Sequence, residues 1–276
     1  MLKLFARRAA EDSQGFIGGK IVLRRFNPRA GLAEAGLTLP ELILLVALCV
    51  IVTALAIPGL RWARLSAHER AAENHLLSMA AAEAAWKSEA RVDQDADTVG
   101  EYGLIGELSG ELVPRSGEKK PPPFLAPLFA TGGSAGTDGC AIVEGYVYRI
   151  YLVAAVAESG QITAGDDKTL GGANSAAGKT LSDVDAIKQQ AEKFIVYAWP
   201  ERVGSTGSLA YAISESGRLL ATNMVKKTYS SRGPIGAPNV PAPSAALKGK
   251  AFDGLLAGDA LGSDGNLWTV INTAPR

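Results

Sequence analysis

Histidine and cysteine are both rare in this chain of 276 residues, with two of each, and the shortage removes most site chemistry at once. His68 and His75 share one stretch with no third ligand beside them, which argues for surface or interface histidines rather than a metal pair. Cys49 falls in an apolar run and Cys140 far beyond it, so the two cannot bridge across a membrane helix and no disulfide framework is expected. There is no G-x-S-x-G elbow, no HExxH and no phosphate-binding loop, and the chain is not read as an enzyme. Carboxylate pairs such as Asp166 and Asp167 stand in a glycine-rich stretch, where a solvated turn is the default. An excess of one charge is missing as well, since 28 Lys and Arg balance 28 Asp and Glu. Beyond the first 36 residues the basic side chains neither cluster nor interleave with aromatics, so no nucleic-acid partner is expected.

Charge disappears altogether over Leu42–Leu60. That run is close to the roughly 20 residues that cross a bilayer's hydrocarbon as a helix, and longer than the usual apolar core of a secretory signal. Lys3, Arg7, Arg8, Lys20, Arg24, Arg25 and Arg29 precede it, against Glu11, Asp12 and Glu34. The positive excess assigns residues 1–36 to the cytoplasm as a basic leader, 37–60 to the membrane and the remainder to the far side. Glu41 stands at the lip of the run, where a carboxylate facing lipid costs roughly 2.5–3.5 kcal/mol, so it should face a partner. Pro40 fits only a first helical turn: deeper in a helix a proline deletes the bond to the carbonyl four residues back and costs about 3 kcal/mol. Here the residue four back is Gly36, and a chain cut after Gly36 would start its helix at Leu37 with Pro40 in that first turn.

Gly36, Leu37, Thr38-Leu39 and Glu41, with Pro58 further along, resemble the processing and assembly segment of the type IV pilin and type II secretion pseudopilin family, of which this would be a divergent member. The resemblance is firm over about residues 30–90. It implies a precursor cut by a prepilin peptidase between Gly36 and Leu37, methylated on the new amine, and polymerised through its N-terminal helix. The implied partners are copies of itself, other pilin-like subunits, the peptidase, an inner-membrane assembly platform and the membrane. Before assembly the protein would be a single-pass inner-membrane protein with a periplasmic C-terminal domain, and afterwards part of a periplasmic or cell-surface filament. Physical chemistry agrees: in a helix bundle the ammonium of one Leu37 can neutralise Glu41 of a neighbour and set the axial register, or Glu41 can pair with its own chain's amine. Absence of a C-terminal disulfide loop leans the reading towards pseudopilin-like or divergent subunits. Glu101 to Gly110, Gly145 to Leu152 and Tyr197 to Pro200 also look like segments of one divergent pilin-like subgroup.

Residues 61–92 read as the soluble half of the same helix, with an apolar stripe at Trp62, Leu65, Ala72, Leu76, Met79 and Ala80 opposite Arg64, Glu69, Arg70, Glu73 and Lys87. Residues 93–276 form the exported domain. At its start, Asp93, Asp95, Asp97 and Glu101 place oxygen ligands much as calcium loops do. Thr98 and Leu104 stand where an EF-hand has its glycine and glutamate, so the segment is either a solvated acidic turn or a calcium site of another kind. Some type II major pseudopilins bind calcium, in a different loop. Tyr146–Val156, Phe194–Trp199, Leu209–Ser214 and Arg218–Thr222 read as strands, the last two joined by the turn Glu215-Ser216-Gly217. Ser182–Lys193 reads as a short helix, with Ser182 and Asp185 placed for a capping box. Residues 115–139, 159–179 and 230–243 look irregular and are candidates for variable filament surface. Trp199, Tyr211 and Trp268 are expected in the core, and Cys140 is expected to be small and buried. Together these give an α+β, pilin-like fold: one long helix, its stripe covered by a four-stranded antiparallel sheet.

Two other readings remain. Ala54-Leu55-Ala56 follows an apolar core and resembles an ordinary signal-peptidase site, which would release a binding domain beginning at Ile57. Alternatively the chain is a minor subunit at a filament tip that primes assembly or contacts cargo.

Overall fold

The computed structural model describes residues 37–117, 122–130, 139–157, 159, 162–170, 184–249, 252 and 255–271, with backbone alone at 55–58. The leader, Gly36 and Ser182 lie outside the described residues. The chain divides into two units, one to Ile51 and one from Val52.

Helix α1 covers Leu39–Ser88. It begins two residues later than the sequence suggests, because Thr38 takes the capping position: its carbonyl accepts the first helical bond, from Leu42 N–H at 3.0 Å. Leucine and alanine, which lose little on entering a helix, dominate the turns beyond the cap. The helix runs unbroken through Pro58, whose imide nitrogen has no hydrogen to give the carbonyl four residues back. The far end comes at Ser88, where Ala90 turns into the left-handed region at φ 46° and its N–H bonds Lys87 O at 3.0 Å.

In the unit from Val52, the α1 stripe is Ala72, Leu76, Met79, Ala82 and Trp86, all buried. Trp62, expected on that stripe, is 75% exposed, since it lies too far up the helix for the sheet to reach. The buried stripe packs on one face of the sheet, against Tyr148, Ile150, Leu152, Val196 and Ile213.

The sheet is entirely antiparallel and has eight strands, a correction to the expected four. In chain order they are β1 (Ala141–Val143), β2 (Tyr146–Val156), β3 (Ile162–Gly165), β4 (Phe194–Pro200), β5 (Ala210–Ser214), β6 (Leu219–Thr222), β7 (Ala260–Leu261) and β8 (Leu267–Val270). The spatial order is β1-β2-β4-β5-β6-β8-β7, with β3 also on β2. Both β1 and β3 pair with the long β2, using Tyr146–Tyr148 and Leu152–Val156 respectively. The four strands read from sequence form the centre, where aromatic and β-branched side chains fit a pleated surface. Between β5 and β6 the turn closes through Gly217, at φ 68°, whose N–H bonds Ser214 O at 2.9 Å. Short helices α2 (Ile105–Leu108), α3 (Asp167–Leu170) and α4 (Val184–Glu192) complete the described elements, with a 3₁₀ turn at Pro127–Phe129. Residues 159–179 are therefore less irregular than expected, since β3 and α3 fall within them.

A second core covers the other face of the sheet, which explains why the central strands are buried along their whole length rather than alternately. Val147, Tyr151, Tyr197, Trp199, Leu220 and Trp268 form it with residues of the segment after β6, including Tyr229, Val240, Ala245 and Leu247. Between β6 and β7 that segment carries Pro234, Pro238, Pro241 and Pro243, and its described residues add no strand to the sheet. Instead its carbonyls accept hydrogen bonds from the sheet: Tyr151 OH to Pro241 O at 2.9 Å, Tyr197 OH to Pro243 O at 3.0 Å, and Trp199 Nε1 to Ser231 O at 2.9 Å. Residues 230–243 are thus irregular as expected, with Val240 and Pro241 buried and Ser231, Arg232, Pro234, Gly236 and Pro238 exposed. Trp199, Tyr211, Trp268 and Cys140 are all buried.

Candidate functional site

At the start of α1 the sequence Thr38-Leu39-Pro40-Glu41 folds into half of a capping box. The Glu41 carboxylate reaches back to accept two bonds on Oε2, from the Thr38 N–H and from the Thr38 hydroxyl, both at 2.9 Å. Pro40 sits in the first turn, where its missing N–H leaves no intrahelical partner unserved. Leu37, Leu39 and the apolar side chains from Leu42 as far as Val52 are exposed, as is Glu41 itself. This is the one described helix long and apolar enough, by length and composition, to cross a membrane.

The acidic segment lies in a loop that doubles back on the end of α1. Glu101 N–H bonds Val92 O at 2.9 Å, and a Cβ on Gly100 would collide with the Lys87 carbonyl, so only glycine allows the return. Within the loop Asp93 accepts from the N–H groups of Asp97 and Thr98 at 3.2 and 3.1 Å, and Asp97 accepts from Val99 N–H at 2.7 Å. Glu101 Oε1 accepts from Gln94 N–H at 2.9 Å. One carboxylate oxygen each from Asp93, Asp95 and Glu101 lies within 4.8 Å of the others. Of the four acids read from sequence these three come together, and Asp97, exposed and turned to its own backbone, does not join them. Burial pushes the Glu101 carboxyl up to about 7, against the pull of its Gln94 bond and of Arg115, with Asp95 adding to the rise.

A third group of acids was not legible. The turn into α2 is wholly buried from Gly103 to Ser109, so its backbone N–H groups need partners. Leu104, at the cap, has no side-chain acceptor. Three carboxylates from separate parts of the chain supply the acceptors: Glu83 accepts from Gly103 N–H at 2.7 Å, Glu107 from Leu104 N–H at 3.0 Å, and Asp167 from Gly106 N–H at 2.9 Å. Arg115 donates to Glu107 from its backbone N–H at 2.7 Å and from Nε at 3.2 Å, and its guanidinium also reaches Gln190 and the Tyr102 carbonyl. Burial holds Glu83 well above the ordinary carboxylate range and raises Asp167 to about 8, with Glu107 and Asp166 adding to the latter. Asp166 and Asp167, expected in a solvated turn, are both buried, because Arg149 and the α2 amides draw them inward.

His75 is half-buried and its Nδ1 lies 3.0 Å from the Tyr148 hydroxyl; His68 does not join it in any metal-holding group among the described residues. Comparison with protein-family models, curated proteins and solved structures returns no match to this chain. Its own residues therefore carry the functional reading. One of these contacts has a signal in the sequence: Thr38-x-x-Glu41 before an apolar run is a capping-box pattern.

Proposed function

We propose that the chain is a pilin-like subunit: cut after Gly36, methylated at Leu37, and assembled through α1 into a filament anchored at an inner membrane. The observation that carries this reading is the capped apolar helix with Glu41 in its first turn and its apolar side chains from Leu42 to Val52 exposed. An exposed apolar surface of this length calls for lipid before assembly or for neighbouring helices after it. Thr38 engages Glu41 through Oε2 alone, and a carboxylate has lone pairs for about four bonds, so Glu41 retains capacity for the α-amine of an adjoining Leu37. An α+β domain whose sheet packs on the continuing helix is compatible with a pilin-like fold.

Substitutions separate the two duties of Glu41. Glutamine preserves an acceptor for the Thr38 cap but removes the charge; alanine removes both. In cells expressing the assembly machinery, both Glu41→Gln and Glu41→Ala should remain inserted and cleaved while filament yield falls about ten-fold or more, the factor that roughly 1.4 kcal/mol represents. Recovery of normal filaments in Glu41→Gln would reduce Glu41 to a helix cap and remove the intersubunit pairing. Gly36→Phe should leave the precursor uncut, and mass spectrometry of the wild-type mature N-terminus should find methylated Leu37. A mature protein beginning at Ile57 would replace this reading with release of a soluble binding domain.

A further inference from the structure

We infer that Asp93, Asp95 and Glu101 form a calcium site at the junction between α1 and the exported domain, a property independent of whether the chain polymerises. Three carboxylates from one short loop converge so that an oxygen of each lies within 4.8 Å of the others. Ligands on opposite sides of a calcium ion, at roughly 2.3–2.6 Å each, stand at most about 5 Å apart, so one ion spans this cluster.

Convergence of acids alone says little, since solvated acids repel weakly and gather for many reasons. The deciding feature is Glu101. Its residue surface is 1% exposed, and its Oε2 has no hydrogen-bond partner among the described residues. A buried carboxylate oxygen without a donor forfeits its hydration and receives nothing in return, which native structures rarely tolerate without an ion or water. Oε1 is occupied by Gln94 N–H, which fixes the carboxylate in place beside Asp93 and Asp95. Asp93 spends one lone pair of each oxygen on Asp97 and Thr98 N–H groups, which holds its carboxylate while leaving lone pairs for a cation. Asp95 has intermediate exposure and completes the trio from the solvent side.

Hard oxygen donors with no nitrogen or sulfur among them select calcium or magnesium over zinc or copper. Between those two, a site made by a flexible loop with three carboxylates suits calcium, because magnesium demands a near-ideal octahedron and gives up its waters reluctantly. The ion would sit where the loop is already closed by the Glu101–Val92 backbone bond, and so would pin the exit from α1.

The test uses the full-length chain in detergent, with terbium as a luminescent probe sensitised by neighbouring aromatics and displaced by calcium. One calcium per chain is expected, with Kd of about 10⁻⁴–10⁻³ M, typical of extracellular modules. Asp95→Asn and Glu101→Gln should each weaken binding about ten-fold or more, whereas Asp97→Asn, outside the trio, should change it less than about two-fold. Asp95→Asn decides the matter if Glu101→Gln fails to fold, because Asp95 is not fully buried. Absence of saturable binding, equal affinity in wild type and Asp95→Asn, or displacement by magnesium at the same concentration as calcium would each overturn the assignment. None of these outcomes tests the proposed role of Glu41 in assembly, which rests on separate residues.

Discussion

Asp166→Ala should destabilise the sheet domain by about 3–5 kcal/mol, the usual consequence of stripping one partner from a buried ion pair. Arg149 projects from the middle of β2 into the second core and is completely buried, an unusual place for a guanidinium. Its Nε lies 3.3 Å from Asp166 Oδ2 and 3.3 Å from the Gly139 carbonyl, and an Nη donates to Gly233 O at 2.7 Å. Asp166 is held in turn by the Thr169 N–H and hydroxyl and the Lys168 N–H at 3.2–3.3 Å. A Cβ on Gly139, which is at φ 67°, would strike the Asp166 carboxylate, so the backbone there closes directly over the pair. Burial pushes the Asp166 carboxyl up and Arg149 pulls it back. With the acid gone, the guanidinium keeps its charge and loses the carboxylate that faces it. Urea unfolding of the detergent-solubilised protein, followed by tryptophan fluorescence, gives the measurement. Adding Arg149→Met to Asp166→Ala should recover part of the loss, since an apolar chain of similar length suits the Trp199 and Tyr151 environment. Should Asp166→Ala lie within about 1 kcal/mol of wild type, the pair does not hold β2 to the β3–α3 corner.

Stability should fall as pH rises from about 4 to about 8, and Asp167→Asn should flatten that decline. Burial raises the folded Asp167 carboxyl to about 8 from an ordinary value of 3.8. Below about pH 4 the carboxyl is protonated in both states, and the raised value costs nothing. Above that the unfolded chain has released the proton while the folded chain keeps it, so each further pH unit costs up to about 1.4 kcal/mol until folded Asp167 ionises as well. Glu83, held well above the ordinary carboxylate range by complete burial, acts in the same direction. Asparagine retains an acceptor for the Gly106 N–H and cannot ionise. A gain of about 1–3 kcal/mol at neutral pH, shrinking towards pH 4, is expected once coupling to Glu107 and Arg115 is allowed for. Parallel thermal melts of wild type and variant between those limits measure it, and parallel pH curves for the two proteins would remove Asp167 as their source.

Elements that carry their own pattern are legible in the sequence, and elements made by partners are not. Tyr146–Val156 announces β2 to the residue, because alternating aromatic and β-branched side chains specify a strand wherever it lies. By contrast β1, β3, β7 and β8 are two to four residues long and owe their conformation to the strand beside them. Without them an eight-stranded sheet reads as four. Asp166 and Asp167 mislead for a related reason: nothing local says that Arg149 or the Gly106 amide will come to meet them. In the acidic loop spacing alone suggests four ligands, and only the return of the chain onto α1 separates Asp97 from the trio. Glu41 is legible as a misplaced acid, and its cap on Thr38 is written just as locally, in a threonine three residues ahead of it.

The two-faced sheet has a consequence for the order of folding. Tyr151, Tyr197 and Trp199 are sealed by residues that come after β6, with Trp268 near the end of the described chain. In chain order the central strands come first, and their rear surface stays greasy until those late residues fold over it. Such an intermediate sticks to its own kind, so a chain halted before the late segment should aggregate rather than wait.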